Sequence, residues 1–245
     1  MTTARLPLFP LNAVLFPGLV MPLNVFEERY RAMMRVLRKL PESERRFGVV
    51  AIRDGREVAP TGPGLPDQTS LPERGPAAGF GADPMQALYG VGCVADAATI
   101  REKDSGGFEV LVTGTRRFRL LSVDTSGEYL TGEVEALPER SGEGAGVLSA
   151  AVVRAFRTYQ KRLAGARERS LGAATELPDE PSVLSYLVAA AAVLDTPSKQ
   201  QLLQARDTAA RLSAELKILR RESAVLGKLP SLPAVDLTRS PTSPN

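Results

Sequence analysis

The run Leu6-Pro7-Leu8-Phe9-Pro10-Leu11-Asn12-Ala13-Val14-Leu15-Phe16-Pro17-Gly18-Leu19-Val20-Met21-Pro22-Leu23-Asn24-Val25-Phe26-Glu27-Glu28-Arg29-Tyr30 decides how the chain begins to fold. Its prolines at 7, 10, 17 and 22 exclude a helix before Asn24, because each lacks an amide donor and restricts the residue before it. The apolar residues between them suit short extended segments. Pro17-Gly18 is a turn signal, with proline fixing φ and glycine free to adopt a left-handed conformation. Asn24 is placed to cap a helix, with Glu27 at the capping-box position three residues on. The stretch therefore predicts strand, turn, strand and helix in quick succession.

Working outward, Phe26, Tyr30, Met33, Leu37 and Leu40 form one apolar helical face, closed by Pro41. Phe47–Ile52 is a continuous apolar run of buried-strand type. Residues 54–84 have many Gly and Pro and no periodicity, and are expected to form a long flexible loop. Strands are predicted over Ala87–Ile100, Phe108–Val112, Arg117–Asp124 and Tyr129–Leu137, with Asp104-Ser105-Gly106-Gly107 as a hairpin tip. About six strands are then available, enough to curl into a small barrel. After Pro138–Gly146 the period changes from two to 3.6. Leu148, Val152, Ala155, Tyr159 and Leu163 mark one helix, Ser182–Leu194 a second that is apolar nearly all round, and Thr196-Pro197 the start of a last helix running to about Leu226. The fold class is α+β: a small β-barrel subdomain with one early helix over residues 1–138, an α-helical subdomain over 147–227, and a proline-rich tail at 228–245 expected to be disordered.

Composition narrows the chemistry. The chain has 245 residues, no histidine and one cysteine. Ser-His-Asp and Cys-His nucleophile systems, histidine-bound zinc and an internal disulfide are excluded. Cys93 lies in the run Val91-Gly92-Cys93-Val94 and reads as a small buried hydrophobe. The pair Ser198-Lys199 is expected to have a solvated lysine with an ordinary pKa, not the desolvated neutral amine that a Ser-Lys dyad needs. Adjacent Glu27 and Glu28 point about 100° apart on a helix, poor geometry for a shared acid–base pair. No enzyme activity, metal or cofactor is expected. No secretory signal and no apolar run of membrane-spanning length is visible, which predicts a cytoplasmic protein without a membrane partner. Net charge is +3, unevenly placed: residues 147–228 carry 13 basic and eight acidic side chains, the preceding residues 17 and 19.

Several of these segments carry a family resemblance. The opening run, with Phe26-Glu27-Glu28-Arg29-Tyr30, resembles the start of the N-terminal substrate-binding domain of Lon proteases. Gly48-Val49-Val50, Gly90-Val91-Gly92-Cys93-Val94-Ala95, Gly114-Thr115-Arg116-Arg117-Phe118 and Lys199-Gln200-Gln201-Leu202-Leu203 with Asp207, Arg211-Leu212 and Glu222 are similar to later family motifs, in family order, across residues 5–226. The loop at 54–84 departs from the pattern. The resemblance implies a PUA-like barrel followed by helices. It also implies a non-catalytic, stand-alone module of substrate-recognition type, because no Gly-x-x-x-x-Gly-Lys-Ser/Thr phosphate loop occurs in the chain. The implied partner is unfolded or flexible polypeptide, with a separate protease as a further partner; the oligomeric state is not legible.

The segment around Pro17-Gly18 is the best surface for such binding, since it is unusually apolar for a turn and stiffened by proline. The candidate contact residues are Phe16, Pro17, Gly18, Leu19, Met21, Pro22 and Phe26, with Arg29 and Arg117 giving orientation. Glu27 or Arg29 is expected to tie the first helix to the Arg116-Arg117-Phe118 segment. The alternative is an RNA-binding PUA-like module using Arg116, Arg117 and Arg119. The scarcity of aromatics, the absence of tryptophan and the net acidic barrel half argue against it. A small-molecule or hydrolase role is weakened by the missing histidine.

Overall fold

The structure is a computed structural model and describes residues 3–53, 75–81, 83–104, 106–166 and 176–227. The expected tail at 228–245 and most of the loop at 54–84 lie outside the described residues.

The opening stretch forms β1 (Thr3–Leu11) and β2 (Val20–Val25), followed by α1 (Glu28–Arg38). The helix starts later than the capping-box reading placed it. Glu27 is its N-cap residue, and Asn24 belongs to β2, where its Oδ1 accepts from Lys103 Nζ at 3.0 Å. β3 (Arg46–Ala51), the short helix α2 (Pro84–Ala87), β4 (Val91–Glu102), β5 (Phe108–Asp124) and β6 (Thr131–Ala136) complete the sheet. The order is β2-β5-β4-β3-β1-β6, and β5 also pairs with β6, so the ladder closes through five strands while β2 lies on the first half of β5. The β4–β5 connection is the expected hairpin, with Lys103 N donating to Gly107 O at 2.8 Å.

Two predicted strands, Phe108–Val112 and Arg117–Asp124, are one. Cys93 opposes Arg117 while Ala95 opposes Gly114, so β5 carries an extra residue there. This bulge keeps the strand paired and turns it over. Before it, Phe108, Val110 and Val112 pack with α1, whose Tyr30, Met33 and Leu37 are buried on the face the sequence marked, together with Met34; Phe26, counted in that face, precedes the helix and is exposed. Beyond it, Phe118 and Leu120 pack on the sheet's other face with Leu8, Val50, Val94 and Val134. β3 is buried from Phe47 to Ala51, which is why it reads as an unbroken apolar run, and β4 is buried over most of its first half only. The end of the Gly/Pro-rich stretch is packed: Phe80 is buried with Leu88 and Leu130.

The helices are α3 (Ala145–Ala166), α4 (Pro181–Ala191), α5 (Thr196–Gln204) and α6 (Thr208–Leu226). The last two were expected as one. Asp207 breaks them by capping α6, its Oδ1 accepting from Ala210 N at 2.7 Å, and Asp195 rather than Thr196 caps α5. Val152, Phe156, Leu184, Leu212 and Leu219 make a helical core of their own. A separate seam, Val14, Phe16, Ala51, Tyr186, Ala189, Leu202 and Leu203, joins the helices to the sheet. No described helix is long and apolar enough to cross a membrane.

Candidate functional site

Pro17 and Gly18 form the turn their order predicts. Leu19 N donates to Phe16 O at 3.2 Å, and Gly18 has φ +78°, the left-handed value a type II turn requires at its third position. The turn is pinned to the β5 bulge by Gly18 N to Gly114 O at 2.8 Å and Gly114 N to Leu19 O at 2.9 Å. Gly114 permits this approach because a Cβ there would lie 2.3 Å from Phe16 O. On the other side, Thr196 Oγ1 donates to Asn12 O at 2.9 Å, tying the loop to the start of α5.

Between this loop and the α4–α5 corner is a cavity of about 350 Å³, within the range of small-ligand pockets. Its walls include Val14, Leu15, Leu19, Met21 and Leu194, with Asn12, Thr196 and Lys199 as polar members. A second cavity of about 360 Å³ begins at the next residue of β2 and is lined by Pro22, Leu23, Leu111 and Arg101 among others. Large apolar side chains are exposed at both ends of β2 and across from it: Val20 at 59%, Phe26 at 73%, and Leu111, opposite Pro22 on β5, at 43%.

The expected contact residues divide sharply. Leu19 and Met21 line the first cavity and Pro22 the second; Gly18 is exposed and Pro17 partly so. Phe26 is exposed but lines neither cavity. Phe16 is not a surface residue. It is 1% exposed, and its ring lies 6.2 Å from that of Tyr186, where it plugs the sheet–helix seam. Arg29 is buried too, and does not reach the Arg116-Arg117-Phe118 segment as expected. It pairs with Glu27 at 2.5 Å and donates to Pro76 O (3.1 Å) and Ala78 O (2.7 Å), with Tyr30 and Phe80 rings beside it. Arg29 is thus engaged internally, whereas Phe16, though 1% exposed, is among the residues that line the first cavity.

Arg117 is likewise buried, and its role is structural. Nη1 donates to Leu203 O (2.9 Å) and Ala205 O (2.6 Å), the carbonyls freed where α5 ends, and Nη2 pairs with Glu139 at 3.1 Å. Glu139 also accepts from Arg211, Thr208 and the Tyr186 hydroxyl. Burial raises the Glu139 pKa, but the Tyr186 hydrogen bond and the two arginines outweigh it and hold the carboxyl below its ordinary value. With Arg117 engaged in this way, the basic cluster an RNA-binding surface needs is reduced to exposed Arg116 and Arg119.

Cys93 is fully buried, and desolvation pushes its thiol up to about 12, so it is inert at neutral pH. Lys199 differs from expectation. It is half-buried, desolvation lowers its pKa, and Nζ donates to Ala190 O at 3.0 Å. It makes no hydrogen bond to Ser198, whose backbone amide is held by Asp195. Lys199, Asn12 and Leu194 were not foreseen at the site, since only the docking of the loop onto α4 and α5 brings them there.

The sequence matches the ATP-dependent protease La (LON) substrate-binding domain over residues 5–221. The chain belongs to that family. Relatives of the LON domain here include the Lon protease of Anaeromyxobacter dehalogenans, 29% identical over 91% of this chain and 24% of its own length, and Lon protease 2 of Myxococcus xanthus, 26% identical over 90% and 24%. The chain thus spans about a quarter of the length of those proteases, and the family match is confined to the substrate-binding domain. Among solved structures, the fold is shared with the Lon N-terminal domain protein from Xanthomonas campestris (TM-score 0.56, 22% identity, 87% of this chain and 98% of that one). It is shared also with the N-terminal domain of the Mycobacterium avium complex Lon protease (TM-score 0.55, 19% identity, 90% and 98%).

Proposed function

We propose that this LON domain recognises unfolded or flexible polypeptide without chemistry of its own, and presents it to a protease as an adaptor or holding factor. The observation that carries this reading is the pair of cavities along β2, lined by Leu19, Val20, Met21, Pro22 and Leu111, with exposed Phe26 just past the end of the strand. Pro22 removes a backbone donor within β2, so recognition there uses side chains and shape rather than strand addition. The LON substrate-binding family supports the same assignment.

The test is binding of a permanently unfolded protein, reduced and carboxamidomethylated lysozyme, measured by fluorescence anisotropy against native lysozyme. The unfolded form is expected to bind selectively, and replacing Leu19 and Met21 together by serine to weaken it by about tenfold, the loss of roughly one buried apolar side chain. Equal binding of native and unfolded forms, or no binding of either, would remove the basis for the assignment.

A further inference from the structure

The cavity beside the Pro17-Gly18 turn is lined mostly by apolar residues, and its polar members, Asn12, Thr196 and Lys199, include one cation. Lys199 lies on the first turn of α5, and its Nζ makes one hydrogen bond, to Ala190 O at 3.0 Å. An ammonium has three donors. Among the described residues the other two have no protein partner, and no carboxylate of those residues lies within ion-pairing distance. The acidic residue on the same turn, Asp195, is engaged elsewhere, its Oδ1 accepting from Ser198 N at 2.9 Å. Asn12, whose amide is a second donor, lines the same cavity.

A cation partly withdrawn from water among Val14, Leu15, Leu19, Met21 and Leu194 is favoured by an anion brought to it. The walls favour an apolar side chain, and about 350 Å³ accommodates one of leucine size together with a carboxylate. Resting on the polypeptide-recognition reading, we propose that Lys199 makes this cavity selective for a leucine-sized side chain next to a carboxylate. The client is then a segment ending in an apolar residue with a free C-terminus, or one carrying Asp or Glu beside an apolar residue. Lys199 acts as the anion anchor and the loop walls as the apolar socket.

The experiment compares three fluorescein-labelled peptides of one apolar sequence on the intact protein: one ending in leucine with a free carboxylate, one with that end amidated, and one amidated with aspartate next to the leucine. The free acid is expected to bind about tenfold tighter than the amide, the scale of one charge-assisted hydrogen bond. Lys199→Met is expected to abolish that difference and Lys199→Arg to keep it. An advantage confined to the free acid identifies the chain end as the source of the carboxylate; an equal advantage for the aspartate peptide identifies the side chain. Equal binding of all three peptides by the wild-type protein, or a preference that survives Lys199→Met, overturns the inference, and the wild-type comparison holds whatever the variants do. Unfolded lysozyme in the same assay separates the two readings. Its binding without any carboxylate preference sinks this inference alone, whereas its failure to bind sinks the polypeptide-recognition reading.

Discussion

Arg117 Nη2 and Glu139 Oε2 stand 3.1 Å apart, joining the β5 bulge to the segment between β6 and α3 at the point where α5 and α6 part. Arg117 is 3% exposed, and its other bonds go to carbonyls that a continuous helix would have satisfied internally. Removing it takes one of two arginines from Glu139 and leaves the Leu203 and Ala205 carbonyls without their side-chain donor. Arg117→Met is expected to destabilise the protein by about 3 kcal/mol in urea unfolding. Arg119→Met, which loses only the exposed 3.3 Å pair with Glu135, should cost about 0.5 kcal/mol. Similar losses for both would show that Arg117 does not tie the helices to the sheet.

Glu139 gives that junction an acid limit. Its folded pKa lies below the ordinary 4.5, because Tyr186, Arg211 and Arg117 together outweigh the opposing effect of burial. A depressed carboxyl contributes stability that is fully present above the unfolded value and is lost as pH falls through the folded one. Melting temperature is therefore expected to fall below pH 4.5. Glu139→Gln should lower stability at pH 7 by about 2 kcal/mol and reduce the difference from wild type as the pH drops. A constant difference from pH 7 to pH 3 would contradict the assignment.

Much of this architecture is written locally. The prolines and Gly18 specify the opening turn, the α1 stripe specifies its buried face, and Asp104–Gly107 marks the hairpin. What could not be read is where a side chain finds its partner. Periodicity places Arg117 and Arg119 on one face of β5, yet only the end of α5, more than 80 residues later, makes one structural and leaves the other solvated. Phe16 has the composition of a binding loop and serves as a plug because Tyr186 and Ala189 arrive over it. The backbone carbonyls that hold Arg29 and Arg117 leave no trace in residue type. Lys199 looked solvated from its helical position alone, and it shares a cavity with a loop about 180 residues upstream.

Glu215 is a liability that titration should expose. It is 2% exposed on α6, neither carboxylate oxygen has a hydrogen-bond partner among the described residues, and burial raises its pKa well above 4.5 despite Arg211. A carboxyl raised in this way binds more protons folded than unfolded, so its contribution is fully present below pH 4.5 and is lost as pH rises through the folded value. Glu215→Gln keeps the shape and removes the charge. It is expected to raise stability at pH 8 by about 1–3 kcal/mol and to leave it nearly unchanged at pH 4, as read from thermal unfolding at both. A destabilised variant at pH 8 would mean that the carboxylate is needed as an ion there.

Gly114 links the fold to the proposed site. Its Cβ position is filled by Phe16 O at 2.3 Å, and both of its backbone groups bond the Pro17-Gly18 turn. Alanine there forces the loop away from β5, which moves Leu19 and Met21 at the cavity wall and loosens Phe16 in the seam. Gly114→Ala is expected to lose about 2–3 kcal/mol of stability through overpacking, and to weaken binding of unfolded lysozyme at temperatures where the variant is still folded. Gly90→Ala is the control: a Cβ at that position meets nothing within 4 Å, so both stability and binding should stay within about 0.5 kcal/mol of wild type. If Gly114→Ala binds as the wild type does, the loop's seating on β5 has no part in recognition.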